Sequence, residues 1–173
     1  MLRFFLLLFA GSTLVLAGCS PTYNWREIRW YSAELKVQLP CKADKGSRRM
    51  TMAGQDVDIE MMGCETGATL FAIAHVRLGD AGKIAAAQAQ WQAAMLGNMQ
   101  AQGTQMLPFQ FKGASAQPQP VRLSAQGRRQ DGSAVATQAV WFARGPHLYH
   151  AVIYADKLSP EVAETYFSGI ELQ

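Results

Sequence analysis

This 173-residue sequence is marked first by what it lacks. It has no glycine-rich phosphate loop and no dinucleotide fingerprint. It has no Gly-x-Ser-x-Gly turn to lift a nucleophilic serine above a sheet. Charged residues make up only 17%, and Lys and Arg exceed Asp and Glu by a net +3. So small an excess cannot neutralise a run of phosphates, so no nucleic-acid partner is expected. There are three histidines, His75, His147 and His150. His147 and His150 lie three apart in a strand pattern, where side chains alternate, so they point to opposite faces. No metal ion is therefore expected, even with His75 as a third ligand. Asp56, Asp58 and Glu60 share one strand face and read as its solvated side, not as paired catalytic carboxylates. Neither a catalytic residue nor a cofactor is expected, and the chain reads as a non-enzyme.

One hydrophobic run is present, at the N-terminus. Arg3 precedes Phe4 to Val15, which is mostly Phe and Leu, and the small residues Ala17 and Gly18 follow. The run is shorter than the roughly 20 residues that span a bilayer, and it has the layout of a secretory signal. Leu16-Ala17-Gly18-Cys19 resembles the lipobox of bacterial lipoproteins. That resemblance implies cleavage between Gly18 and Cys19 and attachment of lipid, with palmitate-class acyl chains, to the Cys19 thiol. Two or more chains anchor stably at about 0.8 kcal/mol per buried methylene. The partner so implied is the lipid bilayer. Ser20, where an Asp favours inner-membrane retention, points to the outer membrane and the periplasm. An ordinary secretory signal with a chance cysteine, or an uncleaved anchor, is the other reading. The expected division is a signal at 1–18, a lipidated N-terminus and tether at 19–26, and one domain at 27–173.

With Cys19 taken by lipid, Cys41 and Cys64 remain. An exported pair in an oxidising compartment is expected to form a disulfide, and two buried thiols are the alternative. The bond would join neighbouring strand ends and close a loop of about 24 residues, worth about 3 kcal/mol. Loss of the signal removes Arg3 and leaves +2 on about 150 residues, enough for one real core. Lys42, Lys45, Arg48 and Arg49 read as a solvated basic loop that alternatively touches lipid headgroups or an acidic partner.

The hydrophobic periods predict an α+β domain. Residues 34–39 alternate and stop at Pro40. Val57, Ile59 and Met61 alternate with the acidic residues of a second strand. In a third strand, over 68–78, Phe71 and Ile73 take one face, and Leu70, Ala72 and Val76 the other, so that strand is central. Asp80 caps a long helix over 81–101, rich in Ala, Gln and Met. Ile84, Trp91, Met95 and Met99 form its buried stripe, and Gly103 stops it. Strands follow over 105–112, 120–128, 134–144 and 147–155, with turns at Asp131-Gly132 and Gly145-Pro146. Ser159-Pro160-Glu161 opens a short helix in which Phe167 packs inward. The result is a mainly antiparallel sheet with a long central helix and a short C-terminal helix.

This order resembles the PsbP-like fold shared by the photosystem protein PsbP, a Ran-binding import factor and DcrB-type bacterial lipoproteins. The residues that carry the resemblance are Val37-Gln38-Leu39-Pro40, the central helix, the two hairpin turns and Tyr166-Phe167-Ser168-Gly169-Ile170. It implies a fold and brings no activity with it. The expected role is partner binding or envelope-assembly support by a membrane-anchored, non-enzymatic lipoprotein. The alternative is a small-ligand binder that uses a cleft between the central helix and the sheet. Trp25, Trp30 and Tyr31 either contact lipid or a partner near the anchor, or, in the case of Trp30 and Tyr31, start the first strand and close the core.

Overall fold

The computed structural model describes residues 22–173. The expected signal, the cleavage site at Gly18 and the lipidated Cys19 lie outside the described residues. Strands β1 (Arg26–Trp30) and β2 (Leu35–Leu39) form a small antiparallel sheet, completed by the C-terminal β10 (Glu171–Leu172). The main sheet contains β3 (Asp44–Met52), β4 (Gln55–Thr66), β5 (Thr69–Arg77), β6 (Gln102–Leu107), β7 (Val121–Arg128), β8 (Ala134–Arg144) and β9 (His147–Ala155). Its order is β3-β4-β5-β9-β8-β7-β6, antiparallel throughout. Helix α1 (Ile84–Asn98) follows β5, and α2 (Pro160–Ser168) follows β9. The molecule is thus an α+β domain of mostly antiparallel sheet with two helices.

Alternation along the strands gives the main sheet two apolar faces. Phe71, Ile73, Tyr149, Ala151, Ile153, Val140 and Phe142 point to one face, beneath β2 and α2. Two hydroxyls bind this layer: Tyr149 Oη donates to the Ala33 carbonyl at 2.9 Å and Tyr166 Oη to the Ala72 carbonyl at 2.8 Å. The opposite face holds Val76, Leu148, Trp141, Val152 and Leu123, beneath α1. The strand over 55–66 switches sides along its length. Val57 and Ile59 are buried under α1, then Met62 and Cys64 under the small sheet, whereas Met61 is exposed. Simple alternation placed Met61 with Val57 and Ile59 in the core; the helix does not extend over it.

Several boundaries differ from the sequence reading. The tether expected to end at residue 26 ends earlier, because Tyr23 and Trp25 pack edge-on against Phe71 and Arg26 already pairs in β1. Trp30 is buried at the end of β1, but Tyr31 is 83% exposed. Of the basic run read as a loop, Lys42 lies in one, but Lys45, Arg48 and Arg49 lie in β3, an edge strand whose polar residues face solvent on both sides and so show no hydrophobic period. The 81–101 helix is a capped 3-10 turn, Ala81–Lys83, followed by the shorter α1; Asp80 Oδ1 accepts from the Gly82 amide at 2.8 Å. Gly103 does not stop the helix. It sits in β6 at φ +60°, where the pairing with β7 shifts register. Pro108 ends β6, whereas β8, β9 and the Ser159-capped α2 fall where they were expected.

Cys41 and Cys64 are disulfide-bonded. The bond does not join neighbouring strands, as read from the sequence. Cys41 follows β2 in the small sheet and Cys64 lies in β4 of the main sheet, so it staples one layer to the other. Exported protein without reductant should yield one Cys41–Cys64 linked peptide by mass spectrometry; two alkylatable thiols would refute the bond. Its removal by Cys41→Ser with Cys64→Ser should cost about 3 kcal/mol, a fall of about 10 °C in Tm by circular dichroism.

The C-terminal end of α1 is held by a close approach. The Arg128 amide donates to the Met99 carbonyl at 2.8 Å, and a Cβ at Gly127 would lie 2.2 Å from that oxygen. Gly127→Ala should therefore cost about 1–3 kcal/mol in urea unfolding, because backbone must move to admit one methyl. A cost below 0.5 kcal/mol would show that α1 is not fixed there.

Candidate functional site

Helix α1 crosses the main sheet obliquely. At its middle, Gln90 bonds the β3–β4 turn, accepting from the Ala53 amide at 2.7 Å. Its far end rests on β7 and β8 through Met95 and Met99. Between the helix and the β4–β5 turn a wedge of apolar sheet is left uncovered. This groove has a volume of about 740 Å³, within the roughly 300–1,000 Å³ typical of small-molecule sites. Met61, Leu70, Ala72 and Tyr154 form its floor, and Trp91 and Ala94 its helical wall. Met61 and Leu70 are 38% and 39% exposed, high for interior strands of a sheet.

The wall is uncharged. Helix α1 contains no Asp, Glu, Lys or Arg, and its outward residues are Ala, Gln, Gly and Asn. Charge sits on the rim. Arg48 flanks the groove on the β3 side, and Arg128 and Arg129 flank it at the β7–β8 turn, against one acidic residue, Glu65. Arg129 is paired with Asp156 at 2.8 Å, whereas Arg48 and Arg128 have no ion pair among the described residues.

His150 closes the inner end. Its ring stacks on Trp141 at 4.4 Å and meets the edge of Trp91 at 5.0 Å. Burial drives its pKa down to about 3, so the ring is neutral. His150 Nε2, Trp141 Nε1, Gln88 Oε1 and Gln92 Nε2 are all buried without a hydrogen-bond partner. The opposite layer has two such atoms, His75 Nδ1 and Arg122 Nε.

The three histidines divide as alternation requires. His147 lies on the face opposite His150, where its Nδ1 is 2.8 Å from His75 Nε2 across the sheet. Burial, and then the neighbouring His147, push His75 down to about 4. Burial also lowers His147, which is part-buried in this pair. Among the described residues no cluster of three His, Cys, Asp or Glu side chains is placed to hold a metal. Asp56 and Asp58 are exposed, and Glu60 accepts from Ser32 Oγ at 2.8 Å.

A second cavity of about 790 Å³ lies on the other face, between the 108–113 loop and α2. Its buried Arg122 is already committed to Glu164 at 2.6 Å and to Gln138 at 2.7 Å, and Arg144 to Glu34. The groove is therefore the better candidate, since its apolar surface is unmatched. Sequence reasoning missed its floor. The available signal was a pair of large apolar residues, Met61 and Leu70, opposite a helix with no charged face.

Both buried histidines resist protonation in the fold while the unfolded chain accepts protons near pH 6.5. Stability should therefore fall as pH drops from about 6.5, through about 4 for His75 and about 3 for His150. Each can contribute a slope of up to about 1.4 kcal/mol per pH unit. In urea unfolding between pH 7 and 4, His150→Phe should flatten this limb relative to the parent; an unchanged slope would show that His150 does not contribute.

No protein-family model matches this sequence, and no curated protein matches it. Among solved structures, the chain is similar to a Pseudomonas aeruginosa protein of unknown function. The two are 16% identical, the alignment covers 83% of this chain and 89% of the other, and the TM-score is 0.35.

Proposed function

We propose that this chain is a membrane-anchored, non-enzymatic envelope lipoprotein with a PsbP-like domain that binds a small apolar ligand in the α1 groove. The observation that carries the binding role is the open groove, with Met61 and Leu70 exposed at its floor beside an uncharged helix. It favours the ligand-binding reading over partner binding, because the groove is concave and of ligand size. The address is supported by the lipobox-like Leu16-Ala17-Gly18-Cys19 and by a Cys41–Cys64 bond suited to an oxidising compartment. The PsbP-like assignment is supported by the antiparallel frame with one longer helix set between groups of strands. No helix among the described residues is long and apolar enough to cross a membrane.

Two measurements test the reading. Replacing residues 1–19 by a cleavable secretory signal without a lipobox should shift the protein from the membrane fraction to the soluble fraction of the periplasm; retention in the membrane at the parent level would rule out the lipid as the anchor. The same soluble variant should bind the neutral fluorophore 1-aminoanthracene saturably, at one site. Ala94→Trp, which fills the groove from its solvent side, should weaken that binding at least tenfold, or about 1.4 kcal/mol. Titration without saturation, or unaltered by Ala94→Trp, would rule out the groove.

A further inference from the structure

The position of the groove relative to the N-terminus narrows its ligand. The Thr22 carbonyl accepts from Thr66 Oγ1 at 2.9 Å, which ties the start of the described chain to the β4–β5 turn. Cys19 is three residues earlier, within about 11 Å of Thr22 even if fully extended. An anchor there holds the bilayer at the end of the sheet that carries the β4–β5 and β7–β8 turns. Those turns line the mouth of the groove, through Glu65, Ala68, Arg128 and Arg129.

The dimensions and charges match one kind of molecule. From Leu70 to Ala74, β5 runs about 13 Å along the floor. A bilayer core about 30 Å thick gives each leaflet's acyl chain about 15 Å. The inner end carries Ile59, Trp91 and the neutral His150, with Arg48 on its β3 edge, level with Ile59. The mouth carries Arg128, which has no ion pair among the described residues and donates to the Gly132 carbonyl at 3.1 Å, with Arg129, paired with Asp156, beside it and Glu65 on the β4 side. An apolar floor whose border carries three arginines against one glutamate suits a chain with an anionic head.

We infer that the groove takes one acyl chain of an anionic phospholipid from the leaflet that holds the anchor, with the headgroup phosphate at Arg128. This rests on the ligand-binding reading and names its ligand. Membrane proximity supplies the lipid at high effective concentration, so even a weak site fills.

The test uses the full-length lipoprotein in vesicles of phosphatidylethanolamine and phosphatidylglycerol. A trace of phosphatidylglycerol with a diazirine at the chain terminus is photolysed, and labelled peptides are mapped by mass spectrometry. Label should fall on the peptides containing Met61, Leu70, Trp91 and Tyr154. Ala94→Trp should reduce groove labelling at least tenfold, with Leu70→Asp as the second variant should the first fail to give a native circular dichroism spectrum. Arg128→Glu should reduce it at least fivefold for the phosphatidylglycerol probe and leave a phosphatidylcholine probe unchanged. Label confined to residues 19–25, or equal groove labelling by both probes, would overturn the inference. A groove that binds 1-aminoanthracene but takes no lipid label ends this inference alone; a groove that does neither ends both.

Discussion

A sheet that is apolar on both faces must be covered twice, and most of this structure follows from how that demand is met. On one face the cover is generous. The three-stranded sheet, α2 and the stapling disulfide close over Phe71, Tyr149 and Phe142. On the other face the cover is a single helix of 15 residues, about 22 Å long. Seven strands are about 29 Å wide, so one helix cannot roof them. The groove is the geometric remainder of that mismatch. Its place is fixed by two contacts of α1, mid-helix at Gln90 with the β3–β4 turn and at its C-terminal end at Met99 against Gly127.

The same asymmetry governs the polar groups. Under the small sheet and α2, the hydroxyls of Tyr149 and Tyr166 find carbonyls and His75 Nε2 meets His147, while His75 Nδ1 and Arg122 Nε keep no partner. Under α1, His150, Trp141, Gln88 and Gln92 each keep a buried atom without a partner. Unmet polar groups in a buried layer are costly, and more of them lie in the incompletely covered layer than in the other. A layer with spare polar and apolar capacity is suited to binding.

Much of the frame was legible in the sequence because local patterns were strong. Strands β8 and β9 were read to the residue from their turns and uninterrupted apolar character, and α2 from Ser159 and Pro160. Strand β5 was correctly read as two-faced, and alternation correctly separated His147 from His150. What was missed lacked a period. Edge strand β3 faces solvent on both sides and so read as a basic loop. Strand β1 lay inside the expected tether and start of the domain. The switch of faces within β4 defeated a single alternating reading, so Met61 was placed in the core.

The sequence by itself determined which residues can be buried, where turns and caps must fall, and that Cys41 and Cys64 are a pair once Cys19 is set aside. These depend on side-chain chemistry and short-range spacing. Tertiary structure alone decided that the disulfide joins two sheets, that Tyr31 stays in solvent while Trp30 does not, and that Met61 and Leu70 remain uncovered. Each of those depends on what another element does or fails to reach. The length and angle of α1 against a wider sheet set the groove, and no local pattern in the chain records the distance between them.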